Sequence, residues 1–179
     1  KAGGENRERG VKMELCLAGM KDLAEVERMY RRIVADMEKK GFFIWNQYYP
    51  AEVLGEDIAQ RRLYVCREGG AIWGAFALTE WEEGEGDIRW TIPGKALYLD
   101  RLGVEPARSG KGVGTQAVRQ AMAQAEKRGA EVLRLFLAEG NEPAFRLYQK
   151  LGFRRAPGIY EEAIGAQRIL RQSGWEISL

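Results

Sequence analysis

The segment R-L-G-V-E-P-A-R-S-G-K-G-V-G-T, residues 101–115, narrows most sharply what this chain can fold into. An apolar strand over residues 95–104 runs into Pro106, a glycine-and-lysine turn follows, and a long amphipathic helix begins. The N–H groups freed in such a turn point outward, and a helix N-terminus adds a partial positive charge. Strand, turn and helix together therefore predict a site for a phosphate-bearing ligand. Alternation along the strand predicts Tyr98, Asp100, Leu102 and Val104 on one face, with Leu97, Leu99, Arg101 and Gly103 on the other.

The rest of the chain gives this unit its setting. A short apolar run at 14–17 reads as a first strand, and Leu23, Val26, Tyr30 and Met37 recur at helical spacing until Gly41 stops the pattern. The stretch F-F-I-W-N-Q-Y-Y-P is either core packing in an irregular connection or a pocket wall, with Trp45, Tyr48 and Tyr49 offering flat faces. Pro50 opens a second helix ending near Arg61. Two β-rich runs around Glu68-Gly69-Gly70 form a hairpin. An acidic run (Glu80, Glu82, Glu83, Glu85, Asp87) reads as a solvated loop, followed by a strand at 88–92. Past the glycine turn, Val113, Ala117, Ala121, Met122 and Ala125 make a helical stripe, and 132–137 is a strand parallel to the first because a helix joins them. Asn141 caps a last helix with Pro143 in its first turn, and strands at 153–160 and 175–179 close the chain. Hairpins first and then β-α-β-α-β predict one α/β domain with a mixed sheet. Residues 13–179 form that domain, and residues 1–12, charged and glycine-rich, read as a disordered or cloning-derived tail ahead of Met13.

Composition excludes several classes. The net charge of +2 gives no pull toward nucleic acid or anionic membrane. No apolar run approaches the ~18 residues a membrane span needs. With no histidine and two well-separated cysteines, a zinc site is not expected, and no other metal is. Cys16 and Cys66 read as small core residues of a reduced, cytoplasmic protein.

Three glycine-loop readings compete for the phosphate site. A P-loop requires glycine at position 105 and Ser or Thr after the lysine, but the chain has Glu105 and Gly112 there. Gly112 to Ala117 fits G-x-G-x-x-A of a dinucleotide fold, yet too little chain follows for the usual paired halves. The third reading uses more of the chain. L-G-V-E-P…G-K-G-V-G-T resembles the acyl-coenzyme A loop of the GNAT superfamily of N-acetyltransferases, and N-E-P-A-F-R-L-Y-Q-K-L-G-F, residues 141–153, is similar to that family's second signature. Flanking strands extend the resemblance to about residues 63–160. It implies a GNAT-like mixed sheet of about six to seven strands flanked by about four helices. One position departs: the family usually carries Gln or Arg directly before its glycine turn, and here Ser109 stands there, with Arg108 one place earlier.

The resemblance implies acetyl-coenzyme A as co-substrate and transfer of its acetyl group to a primary amine of a small molecule or peptide. It assigns the cofactor to Leu102, Gly103, Val104, Arg108, Ser109, Gly110, Lys111, Gly112, Val113, Gly114, Thr115, Asn141 and Ala144. In it the Val104 N–H polarises the thioester carbonyl, Leu102 and Val104 hold the pantetheine arm, and Tyr148 is the general acid for the thiolate. Asp100, on the predicted face of Leu102 and Val104, is the candidate base, where similar sequences often carry histidine. Trp45, Tyr48 and Tyr98 are the candidate acceptor contacts. With no histidine, and no cysteine beside either motif, direct attack is expected rather than an acyl-enzyme. A non-catalytic acyl-coenzyme A-binding regulatory module is the alternative. The closing strand near Trp175 is a candidate homodimer contact.

Overall fold

A β-bulge in one central strand, and the parting of that strand from its neighbour, position everything that follows. The computed structural model describes residues 13–164, 166 and 168–179; the expected tail at residues 1–12 lies outside the described residues. In chain order the elements are Glu14–Leu17 (β1), Leu23–Lys39 (α1), Ala51–Ala59 (α2), Leu63–Glu68 (β2), Ala71–Thr79 (β3), Ala96–Val104 (β4), Val113–Lys127 (α3), Val132–Ala138 (β5), Glu142–Lys150 (α4), Arg154–Arg155 (β6), Tyr160–Ile164 (β7) and Arg168–Ser178 (β8). The sheet runs β1-β2-β3-β4-β5-β8-β6, with β7 also paired to β8. Among the described residues only β4 and β5 pair in parallel, as a helical crossover between them dictates. One apolar cluster joins α3 and α4 to β4 and β5, and a second packs α1 and α2 on Val65, Ala75 and Ala77. Helices therefore cover both faces.

Four sequence expectations need correction. The sheet has eight strands rather than six or seven, because the closing run divides at Pro157-Gly158 into β6 and β7. Residues 88–92 form no strand beyond a single bridge from Ile88 to Gly158. Their N–H groups find other acceptors: Arg89 donates to the Pro157 carbonyl at 2.8 Å, and Thr91 to the buried Glu176 carboxylate at 2.8 Å. Cys16 is exposed, since edge strand β1 turns Leu15 and Leu17 to the core and its odd partner outward; Cys66 alone is buried. The last strand begins at Arg168 rather than at Trp175, and it lies inside the sheet with β5 on one side and β6 and β7 on the other.

The central correction concerns β4. Asp100 stands opposite Ala77 but Gly103 opposite Ala75, so β4 holds one extra residue, and Arg101 absorbs it at φ 53. A bulge resets the side-chain alternation. Leu97, Leu99, Leu102 and Val104 all join the α3 side of the core, whereas Gly103 faces Tyr30 and Ile33 of α1. Tyr98 therefore does not share a face with Leu102 and Val104. It stacks on Phe136 and meets Trp90 edge-on.

The bulge is held by a buried ion pair. Arg101 Nε and Nη2 donate to the two oxygens of Asp57 at 2.7 and 2.9 Å, and Arg62 Nε donates to the same carboxylate at 2.5 Å. Tyr30 O–H donates to the Arg101 carbonyl. Asp57 is fully buried and Arg101 is 8% exposed.

The sheet opens just ahead of the bulge. β4 pairs with β5 only at Ala96–Tyr98, opposite Val132–Arg134, while β5 continues along β8 to Ala138. Glu105 N–H donates to the Trp73 carbonyl at 2.8 Å. In an antiparallel ladder every second residue bonds the partner strand. Val104 and Leu102 thus turn their N–H and C=O groups away from β3 and into the gap. Removing one member of a buried pair costs about 3–5 kcal/mol. Asp57→Ala is accordingly expected to lower unfolding stability by about that amount in a denaturant titration; a loss within error of zero would show that the bulge does not depend on the pair.

Candidate active site

The gap between β4 and β5 continues into a cleft of about 940 Å³ bounded by the α3 N-terminus, α4, the segment after α1 and strand β7. At one end lies the glycine turn. Gly110 and Gly112 have φ of 75 and 81, a backbone shape that L side chains resist, and a side chain placed on either would meet open space. The glycines thus answer the turn's backbone demand and leave its surface bare. The first bond of α3 runs from Gln116 N–H to Gly112 C=O at 3.0 Å. The N–H groups of Val113, Gly114 and Thr115 consequently have no helical partner, and with the helix dipole they form an anion cradle. Arg108 lies 3.5 Å over the Trp73 ring at the edge of the same cleft, so its charge stands beside the turn although Ser109 occupies the adjoining position.

The first turn of α4 forms the facing wall. Asn141 caps the helix by accepting from Ala144 N–H at 3.3 Å, and both residues line the cleft. Tyr148, one turn further on, is buried with its ring edge-on to Phe153 at 5.4 Å. Burial, and then the negative charge of Asp100, push its phenol well above the usual range. Tyr148 therefore carries its proton throughout the neutral range and can donate it.

At the other end the structure divides the expected acceptor contacts. Trp45 lines the cleft and packs on Tyr30 at 5.6 Å. Asn46 Oδ1 accepts from the N–H groups of Tyr48 and Tyr49 at 2.8 and 2.9 Å. That tight turn sends Tyr49 inward, where its hydroxyl accepts from Arg101 Nη1 at 3.3 Å, and leaves Tyr48 at the surface, 58% exposed and off the cleft. Tyr98 is also off the cleft: it is buried, and its hydroxyl donates to Glu85 at 2.7 Å. Of the glycine-turn residues, Arg108, Ser109, Gly110, Gly112, Gly114 and Thr115 border the cleft, whereas Lys111 does not and the Val113 side chain packs into the core. Leu102 and Val104 line it; Gly103 points its α-carbon toward α1.

Asp100 reaches the cleft but is strongly engaged. One of its oxygens accepts from Arg101 N–H at 2.7 Å and the other pairs with the Arg101 guanidinium. The residue that sequence reasoning missed is Glu82. It lies against Asp100, and Thr79 Oγ1 donates to its Oε1 at 2.6 Å. Burial first, and then the neighbouring Asp100, push its carboxyl up to about 8. Glu162 of β7 is raised in the same direction by burial and by Glu83 and Asp100. Nothing local separates Glu82 from the other acids of its run; the fold selects it by bringing the end of β3 beside the bulge. Among the described residues no cluster of side chains is suited to hold a metal ion.

Residues 26–153 match the family described as Acetyltransferase (GNAT) family. This chain belongs to that family. It is 30% identical over 141 residues to N-alpha-acetyltransferase 40 of Saccharomyces cerevisiae, an alignment covering 72% of this chain; the chain spans 49% of that relative's length. Its fold is similar to that of yncA from Salmonella typhimurium, solved with its cofactor acetyl-CoA, at TM-score 0.68 and 19% identity over 93% of this chain and 94% of the other. A GNAT family acetyltransferase from Streptococcus agalactiae superposes at TM-score 0.78 with 17% identity, covering 93% and 95% of the two chains.

The raised Glu82 carboxyl has a consequence for stability. Its ordinary value lies near ~4.3, so the folded state holds this proton more tightly than the unfolded state between there and about 8. Stability from this group is complete below that window and is lost as pH rises through it. Glu82→Gln keeps the acceptor for Thr79 and removes the titration. The variant's melting temperature, relative to wild type, is expected to be higher at pH 9 than at pH 5; an equal difference at both values would contradict the raised carboxyl.

Proposed function

We propose that this chain transfers an acetyl group from acetyl-coenzyme A to a primary amine of a small molecule or peptide, by direct attack and in the cytoplasm. One observation carries the reading. The anion cradle of α3, the inward N–H groups of β4 beyond the bulge and the Tyr148 phenol border a single continuous cleft. The cradle suits the phosphates of coenzyme A, since backbone N–H groups and a helix dipole converge there, and the bare glycines permit close approach. Leu102 and Val104 offer strand-like bonds to an extended arm, with Asn141 and Ala144 on the opposite wall.

When bound, the co-substrate supplies an activated acetyl group; the chain's residues do the rest. The Val104 N–H is placed to donate to the oxyanion as it forms, and such donors are worth about 10²–10³ in rate. Tyr148 borders the cleft with its proton in place and is positioned to give it to the departing sulfur. Trp45 and Tyr49 wall the acceptor end against water. The yeast relative's name specifies α-amino groups, which puts peptide N-termini first among the acceptors to be tried. Carboxyl groups at that end favour an amine arriving as a cation.

Coenzyme A release in the presence of peptide amines, polyamines and alkylamines tests the reading. Amine-dependent release is expected from at least one class; tight acetyl-coenzyme A binding with no amine-dependent release would favour the non-catalytic binding module instead. Tyr148→Phe is expected to lower kcat about 10²-fold or more while leaving acetyl-coenzyme A affinity within a few-fold. Unchanged kcat would remove Tyr148 as the acid.

A further inference from the structure

Asp100 occupies the position that the sequence points to for a base, but its geometry is poor for taking a proton. Both of its oxygens accept from Arg101, one from the backbone N–H and one from the guanidinium. Arg101 is in turn fixed by Asp57 on its other edge. A carboxylate so held serves better as a fixed negative charge than as a proton acceptor.

Glu82 has the complementary environment. It lines the cleft, its Oε1 accepts from Thr79, and Asp100 stands beside it. The groups around it can be named by element. Asp100 and Arg101 face it from β4 and Thr79 from β3; Tyr49 comes from the segment before α2 and Tyr160 from β7. Glu83 and Glu162 add further negative charge nearby. Four carboxyl groups against one arginine, itself shared with Asp57, leave an excess of negative charge at the acceptor end.

We infer that Glu82 is the general base of the proposed acetyl transfer and that Asp100 is a positioning residue that sets how strongly Glu82 holds a proton. The inference rests on the transfer reading given above. As the amine nitrogen bonds to the acetyl carbonyl carbon and the carbon–sulfur bond breaks, a proton passes from that nitrogen to the Glu82 carboxylate. The Tyr148 proton passes to the coenzyme A sulfur. Solvent then takes the proton from Glu82 and returns one to Tyr148; an amine that arrived as a cation has first passed its extra proton through Glu82 to solvent, and that proton is the one net release. A base near about 8 is matched to neutral conditions, where an ordinary carboxylate is too weak to accept efficiently. The added proton affinity comes first from burial and then from the second carboxylate, as when two acids share one site.

Two measurements on the full chain test the assignment. The first needs no acceptor: the Glu82 side-chain carboxyl carbon is followed by carbon-13 NMR from pH 4 to 10, identified by its loss in Glu82→Gln. A midpoint near 8 that moves to lower pH in Asp100→Asn is expected. A midpoint in the ordinary carboxylate range, or one that Asp100→Asn leaves in place, overturns the coupling and with it the inference. The second is kcat/KM against pH with spermidine and triglycine amide as acceptors, each compared across variants so that the amine's own titration cancels. Glu82→Gln is expected to lose about 10²-fold or more in kcat, Glu82→Asp to retain more rate than Gln, and Asp100→Asn to move the acidic limb to lower pH. The reverse pattern, with Asp100→Asn abolishing turnover and Glu82→Gln leaving the limb unmoved, would make Asp100 the base. Expected titration without coenzyme A release from either amine would overturn the transfer reading and the base assignment, and leave the carboxyl pair standing.

Discussion

The ion pair between Arg101 and Asp57 is the contact on which the site depends. A guanidinium buried beneath the sheet fixes Arg101 at a positive φ that a large side chain does not adopt unaided. The extra residue it accommodates resets the face of every side chain after it. Leu102 and Val104 consequently turn into the α3 side of the core, and their backbone groups face a gap that β5 has already left.

The same pair governs the electrostatics of the acceptor end. Arg101 divides its charge between Asp57 in the interior and Asp100 in the cleft. Asp100 is thereby held still, and Glu82, which has no cation of its own, feels both its negative charge and the loss of water. At the opposite end the cleft relies on backbone rather than side chains: unbonded N–H groups at the head of α3, with Arg108 laid over Trp73. A single cleft thus carries positive potential at one end and negative potential at the other.

Much of this was legible in the chain itself. Glycine spacing after Pro106 announced the anion cradle, and Asn141 with Pro143 announced a capped helix, because caps and turns are local properties. The aromatic segment was legible only as core packing or a pocket wall, and which tyrosine faces inward depends on Asn46 turning the backbone. The bulge was not legible, since it is fixed by Asp57, far away in sequence and unremarkable within its helix. For the same reason strict alternation misplaced Tyr98, and an acidic run that reads as solvated hid Glu82. The strand expected at 88–92 failed because a buried carboxylate, Glu176, took up N–H groups that a neighbouring strand would otherwise have bonded. Apart from the local Asn46 turn, long-range polar contacts rather than hydrophobic pattern account for these differences.

The account stands or falls on the use of the gap beyond the bulge. A crystal structure of this chain with acetyl-coenzyme A is the most direct measurement. It is expected to show the pyrophosphate against the N–H groups at the head of α3 and the thioester carbonyl accepting from Val104 N–H. A thioester bound elsewhere in the cleft, or a β4 whose gap is closed by β5 when the co-substrate is present, would contradict it.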